Sequence, residues 1–155
     1  MMCETSLLSD RRCWMSALAT APSAALSDSW QALPAQPDFT WISPPQFETV
    51  MLRARADGSG MLFNLGEMTV TRCSISLRTG TVGIACIGGR DKRHAAIAAV
   101  FDAMMLCPEE TPWRERAREA VLSIAETSRK YQVGKAAKVR ATEVSFSMSV
   151  AGQPT

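Results

Sequence analysis

Gly88-Gly89-Arg90-Asp91-Lys92-Arg93-His94 joins two apolar runs of different period and holds the single histidine of a 155-residue chain. Before it, Thr81 to Ile87 reads as a strand. After it, Ala95 to Leu106 reads as a helix that Pro108 ends. Two glycines before a helix start let the backbone approach a ligand and direct unpaired N–H groups at it. Arg90, Lys92 and Arg93 follow at once, where the positive end of the helix dipole disfavours cations. An anion or an acidic partner would offset that. A Gly-Gly turn with Asp91 as N-cap and solvated basic residues gives the same pattern without a ligand. At about 100° per residue, Arg90, Arg93 and His94 fall on the stripe of Ile97, Val100, Phe101 and Met104. This predicts a basic cluster at the rim of the core or in an interface.

Working back from this junction, Phe47 onward shows strand character. Val50, Leu52, Ala54 and Ala56 alternate with Met51, Arg53 and Arg55. Asp57-Gly58-Ser59-Gly60 signals a hairpin turn. Met61 to Leu65 and Glu67 to Leu77 read as the next strands, with a candidate bulge at Gly66. Thr79-Gly80 is another turn. Connections this short make antiparallel neighbours. Two helices are expected before the strands, over 5–20 and over 23–33, the second with Ser23 as N-cap. Pro34, Pro37, Pro44 and Pro45 predict an extended connector over 34–46.

Working forward, Thr111-Pro112 suits an N-cap and first helical position. Trp113, Ala117, Ala120, Val121 and Ile124 form the apolar face, and Gly134 is a candidate break. Val144, Phe146, Met148 and Val150 alternate with Ser145, Ser147 and Ser149, which predicts a half-buried closing strand. Residues 152–155 read as a flexible tail. The expected fold is a single α+β domain over 1–155: N-terminal helices, an antiparallel β meander, helices and a C-terminal strand.

Composition narrows the chemistry. The chain is 46% hydrophobic and 21% charged with a net charge of +2, which is ordinary globular composition. Charge is uneven, however: residues 113–143 carry eight Lys or Arg against four Glu, a local +4. Such a segment suits phosphate, nucleic acid or an acidic subunit face, or is a solvated helix face. Five cysteines stand singly, at 3, 13, 73, 86 and 107. No pair has metal-ligand spacing, so reduced thiols in a cytoplasmic protein are expected, with no metal site from this chain alone. The N-terminal stretch has no long apolar run, and neither a signal peptide nor a membrane span is expected. No Walker A pattern, dinucleotide fingerprint or nucleophile elbow is present. Arg53, Arg55 and Arg72 suit carboxylate or phosphate recognition, or are the solvent face of a sheet. Asp91, Asp102 and Glu67 have the chemistry for magnesium, although an N-cap is the simpler role for Asp91.

Several fragments together resemble the PhnG family, the G subunit of the bacterial carbon–phosphorus lyase core complex. They are Arg11-x-x-Trp14-Met15-x-x-Leu18-Ala19, then Gly58-x-Gly60-x-x-Phe63-x-Leu65-Gly66-Glu67 with Thr71-Arg72, then Gly89-Arg90-Asp91-x-x-His94-Ala95 and Phe101-Asp102-Ala103. The C-terminus departs from the family pattern at Ser145, Ser147 and Ala151.

The resemblance implies an accessory subunit, non-catalytic or contributing, of alpha-D-ribose 1-methylphosphonate 5-triphosphate synthase. With the H, I and L proteins it would convert ATP and an alkylphosphonate to a ribose 1-alkylphosphonate 5-triphosphate, releasing adenine. It implies H, I and J subunits as partners, Mg-ATP as substrate of the complex and no cofactor on this chain alone. Neither membrane nor nucleic acid is an expected partner. Arg72, Arg90, Asp91 and His94 are the candidate anion or partner contacts. The alternatives are a purely structural module that stabilises the I subunit and, more remotely, an RNA-binding domain. The latter lacks aromatics interleaved with its cations.

Overall fold

The computed structural model describes residues 10–55, 60–108 and 111–140. Two helices, α1 (Arg11–Thr20) and α2 (Ser23–Gln31), precede three strands, β1 (Phe39–Arg55), β2 (Leu62–Leu77) and β3 (Val82–Gly88). Helices α3 (Lys92–Leu106) and α4 (Pro112–Arg140) follow. The sheet is antiparallel in the order β1-β2-β3, so the α+β class and the meander are as expected. The predicted closing strand and the tail at 152–155 lie outside the described residues.

One face of the sheet makes the core. Thr71, Cys73, Ile75 and Leu77 of β2 and Gly83, Ala85 and Ile87 of β3 are buried, while their alternates are half-buried or exposed. Helix α3 lies on this face and is buried almost all round: Ile97, Val100, Phe101 and Met104 are inside, and so are Ala98, Ala99 and Ala103. Such a helix is central, covered by others. Leu18 of α1, Leu26 of α2, and Ala117, Val121 and Ile124 of α4 close over it. Burying a side chain such as Phe101 or Leu26 contributes about 2–3 kcal/mol, which outweighs any single polar contact at the surface.

The strands depart from expectation at one end of β1 and carry the expected bulge at the other. β1 starts at Phe39 and takes in Pro44 and Pro45, within the stretch that the prolines mark as a connector. The reason is position. Among the described residues β1 is an edge strand, and its ladder shifts register between Ser43 and Gln46, where the missing N–H groups fall. At the far end Leu52 pairs with Gly66 but Arg53 pairs with Asn64, so Leu65 is the extra residue of a bulge beside Gly66. Among the described residues, the part of β2 that precedes Val70 pairs with β1 alone. Residues 47–55 and 62–69 therefore form a two-stranded arm past the helices. Phe47, Met51, Leu52, Leu62, Phe63, Leu65 and Met68 are all exposed on it.

Gly83 sets the closeness of β3 and α3. A Cβ there would overlap the carbonyl oxygen of Ala99 and lie 2.6 Å from the Ala103 nitrogen. Both are helix backbone, which cannot swing aside. We expect Gly83→Ala to destabilise the chain by at least about 2 kcal/mol, read as a lowered unfolding midpoint in urea.

Candidate functional site

The site follows from how the β3–α3 junction is built. Gly89 has φ 95°, a conformation that suits glycine. Its N–H donates to the Thr69 carbonyl at 2.9 Å, and its own carbonyl accepts from the buried Thr71 hydroxyl at 2.7 Å. The turn is thus fixed to β2 from both sides. Asp91 then caps α3, accepting from the His94 amide at 2.9 Å and from the Ser23 hydroxyl at 2.8 Å. Ser23 is not the cap of its own helix, as its sequence position predicts. The cap residue of α2 is Pro22, and Ser23 ties α2 to α3 instead. The amide of His94 holds the Asp91 carboxyl below its usual range, helped by Ser23 against the opposing effect of burial.

His94 is buried, with Nε2 2.7 Å from the Leu18 carbonyl oxygen. A carbonyl only accepts, so Nε2 carries a proton and donates it. The ring ties the start of α3 to α1. Arg90 and Arg93, by contrast, are exposed. The stripe predicted for all three holds for His94 alone. Arg90 precedes the cap, where helical angles no longer apply, and Arg93 is long enough to reach water from the first turn.

Two of the three cations at this helix start, Arg90 and Lys92, have a partner in the chain, the aromatic ring of Phe47. Arg90 Cζ is 5.8 Å and Lys92 Nζ 5.1 Å from the ring centroid. A ring face attracts cations, worth about 0.5–1 kcal/mol at an exposed site. Sequence reasoning placed Phe47 only as the start of a strand. The signal available was its place on β1 opposite Thr71, which puts its side chain on the helix-bearing face.

Arg72 does not join this group. It is exposed on the opposite face of β2 and pairs with Glu48 at 3.4 Å. Arg53 and Arg55 lie farther out along the arm, opposite Asn64 and Leu62, with Arg55 donating to the Gly60 carbonyl at 3.2 Å. The arginines are therefore spread over two faces and do not converge on one anion. Among the described residues no group of three or more His, Cys, Asp or Glu is placed to hold a metal ion. Cys73 and Cys107 are buried and Cys86 is exposed. Burial pushes the Cys73 thiol up to about 11.

Asp102 has a structural role and is not a magnesium ligand. Its carboxylate is fully buried and accepts four hydrogen bonds. Arg11 Nε and Nη2 donate at 3.1 and 2.6 Å, the Trp14 indole at 3.0 Å and the Ile84 amide at 2.9 Å. This locks α1, α3 and the outer edge of β3 together. The hydrogen bonds from Arg11 to Asp102 raise the pKa of Arg11 against the opposing effect of burial. A groove of about 190 Å³ remains beside this lock, lined by Met15, Leu18, Ala19, Ile84, Ile87 and Ala98 among others.

Removing the Asp102 carboxylate would leave a guanidinium, an indole and an amide without their acceptor. We expect Asp102→Ala to cost about 3–5 kcal/mol in chemical unfolding. Asp91 gives a pH-dependent counterpart. Its folded pKa lies below the ordinary 3.8, so the stability that its charge contributes is present above that value and is lost as pH falls through the folded one. The difference in melting temperature between wild type and Asp91→Asn should be constant near neutral pH and shrink toward zero as pH falls below the ordinary 3.8 and through the folded value.

The pieces that the structure joins, Arg11 and Trp14 on Asp102 and the Gly89 to His94 turn, are those that resemble one family. A family model described as phosphonate metabolism protein PhnG matches residues 9–152. Alpha-D-ribose 1-methylphosphonate 5-triphosphate synthase subunit PhnG of Rhizobium meliloti (strain 1021) is 34% identical over 146 residues, which cover 94% of this chain and 92% of that protein. This chain belongs to the PhnG family.

Proposed function

We propose that the chain is an accessory subunit of a multi-protein synthase of phosphonate catabolism, the complex that makes a ribose 1-alkylphosphonate 5-triphosphate from Mg-ATP and an alkylphosphonate. The family and the curated relative support this reading. The structural observation that carries it is the arm of β1 and β2. Two strands with apolar side chains exposed along their length are marginal in water without further packing. Such an arm suits a chain completed by other subunits, for which the H, I and J proteins of the carbon–phosphorus lyase core are our candidates, in the cytoplasm.

The placement of the candidate residues favours positioning over chemistry. His94 and Asp91 are spent on internal hydrogen bonds, and Arg72 is paired on the far face. Arg90 and Lys92, stacked on Phe47, remain as an exposed cationic surface at the base of the arm. We assign them to contact with a partner, the I subunit in our reading, whose chemistry they help to order.

Co-expression tests this. The chain with the other subunits should yield a soluble complex that releases adenine from ATP in the presence of an alkylphosphonate, while the chain alone aggregates. Arg90→Ala should lower adenine release at least about tenfold, with a stability change of no more than about 1 kcal/mol. A well-behaved monomer with no affinity for the other subunits would overturn the reading.

A further inference from the structure

Past Ser128, α4 contributes no buried side chain to the core among the described residues. Ser128 is its last buried residue, and every described side chain from Arg129 to Val139 is exposed. At about 1.5 Å per residue, 129–140 extends roughly 18 Å past the body. This stretch carries five Lys or Arg and no Asp or Glu. Lys130 pairs with Glu126 at 2.8 Å, and among the described residues no carboxylate lies within salt-bridge distance of Arg129, Lys135 or Lys138. Among the described residues nothing approaches Gly134 within 4 Å of where a Cβ would be. Glycine costs an exposed helix about 1 kcal/mol relative to alanine, so the segment is not optimised to stand alone.

We propose that residues 129–140 form a cationic peg that seats in an acid-lined groove on another protein of the complex. The inference rests on the accessory-subunit reading above and adds a second contact, separate from the arm. Charge complementarity identifies the partner surface: among the described residues, Arg129, Lys130, Lys135 and Lys138 have one carboxylate, Glu126, within salt-bridge distance, and this calls for carboxylates opposite. The distribution of apolar groups favours a protein groove over lipid or nucleic acid. Tyr131 and Val133, 54% and 66% exposed, project about 160° apart around the axis. A membrane surface takes a helix with one apolar face, and this one has none. A phosphate backbone would leave these apolar groups in water, and with a single aromatic the stretch offers little for bases to stack on. A groove that surrounds the helix covers apolar and cationic side chains together.

The test is co-purification of the chain with the co-expressed synthase subunits over a range of salt concentrations. Three variants are compared with wild type: Lys135→Glu with Lys138→Glu, Lys135→Gln with Lys138→Gln, and Arg78→Glu as a distant charge control. These lysines touch no core residue, so folding is retained. The reversal pair should lower affinity at least about tenfold at low salt, the Gln pair less, both with a weaker dependence on salt, and Arg78→Glu should change little. Wild-type assembly with an unaffected reversal pair would overturn the peg and leave the accessory-subunit reading standing. No wild-type assembly at all would overturn both. Retention that nuclease abolishes, or transfer of the wild type to anionic phosphatidylserine vesicles, would assign the peg to nucleic acid or lipid and overturn the proposal.

Discussion

The seating of α1 and of the β3 edge against the central helix depends on one buried carboxylate. Asp102 lies in the middle of α3, where a charge without partners would cost several kcal/mol. Four donors from α1 and β3 remove that cost, and in doing so they fix where those elements sit. The Ile84 amide is a group that an edge strand would otherwise leave open, so the same carboxylate also closes part of the sheet edge. His94 repeats the logic at the other end of the helix, holding the Leu18 carbonyl near the end of α1. Two polar contacts on α3 thus set the angle and the depth of α1.

The molecule divides into a part that satisfies itself and parts that do not. Around α3 every buried side-chain polar atom among the described residues has a partner. The arm and the far half of α4 lie outside this region. One offers apolar side chains and the other positive charge. A small domain of this kind stabilises itself through its helices and presents its extensions to others.

The sequence was readable where the signal was local. Period-two alternation, the Gly-Gly junction, the Asp91 cap and the irregularity beside Gly66 all depend on neighbours within a few residues. Three features were hidden because they depend on distant ones. Pro44 and Pro45 read as a connector until the strand is known to be an edge. Asp102 read as an acid with the chemistry for magnesium because its donors come from elements far off in the chain. Arg90 read as part of a helical stripe because the wheel was carried past the cap, and Phe47, which receives it, gave no sign of that role. In the candidate site, the turn was legible, and the division of the arginines between two faces was not.

The separation of these contacts along the chain has a consequence in time. Arg11 and Trp14 meet Asp102 across 91 and 88 residues, and Thr20 meets Ser128 across 108. During synthesis α1 leaves the ribosome long before the helix that receives it. It has no docking surface until the meander and α3 have both emerged. Closing loops of this length costs entropy before any contact repays it, which slows folding. The first helix is therefore among the last elements to find its place, and the apolar side of a nearly finished chain stays open until it does.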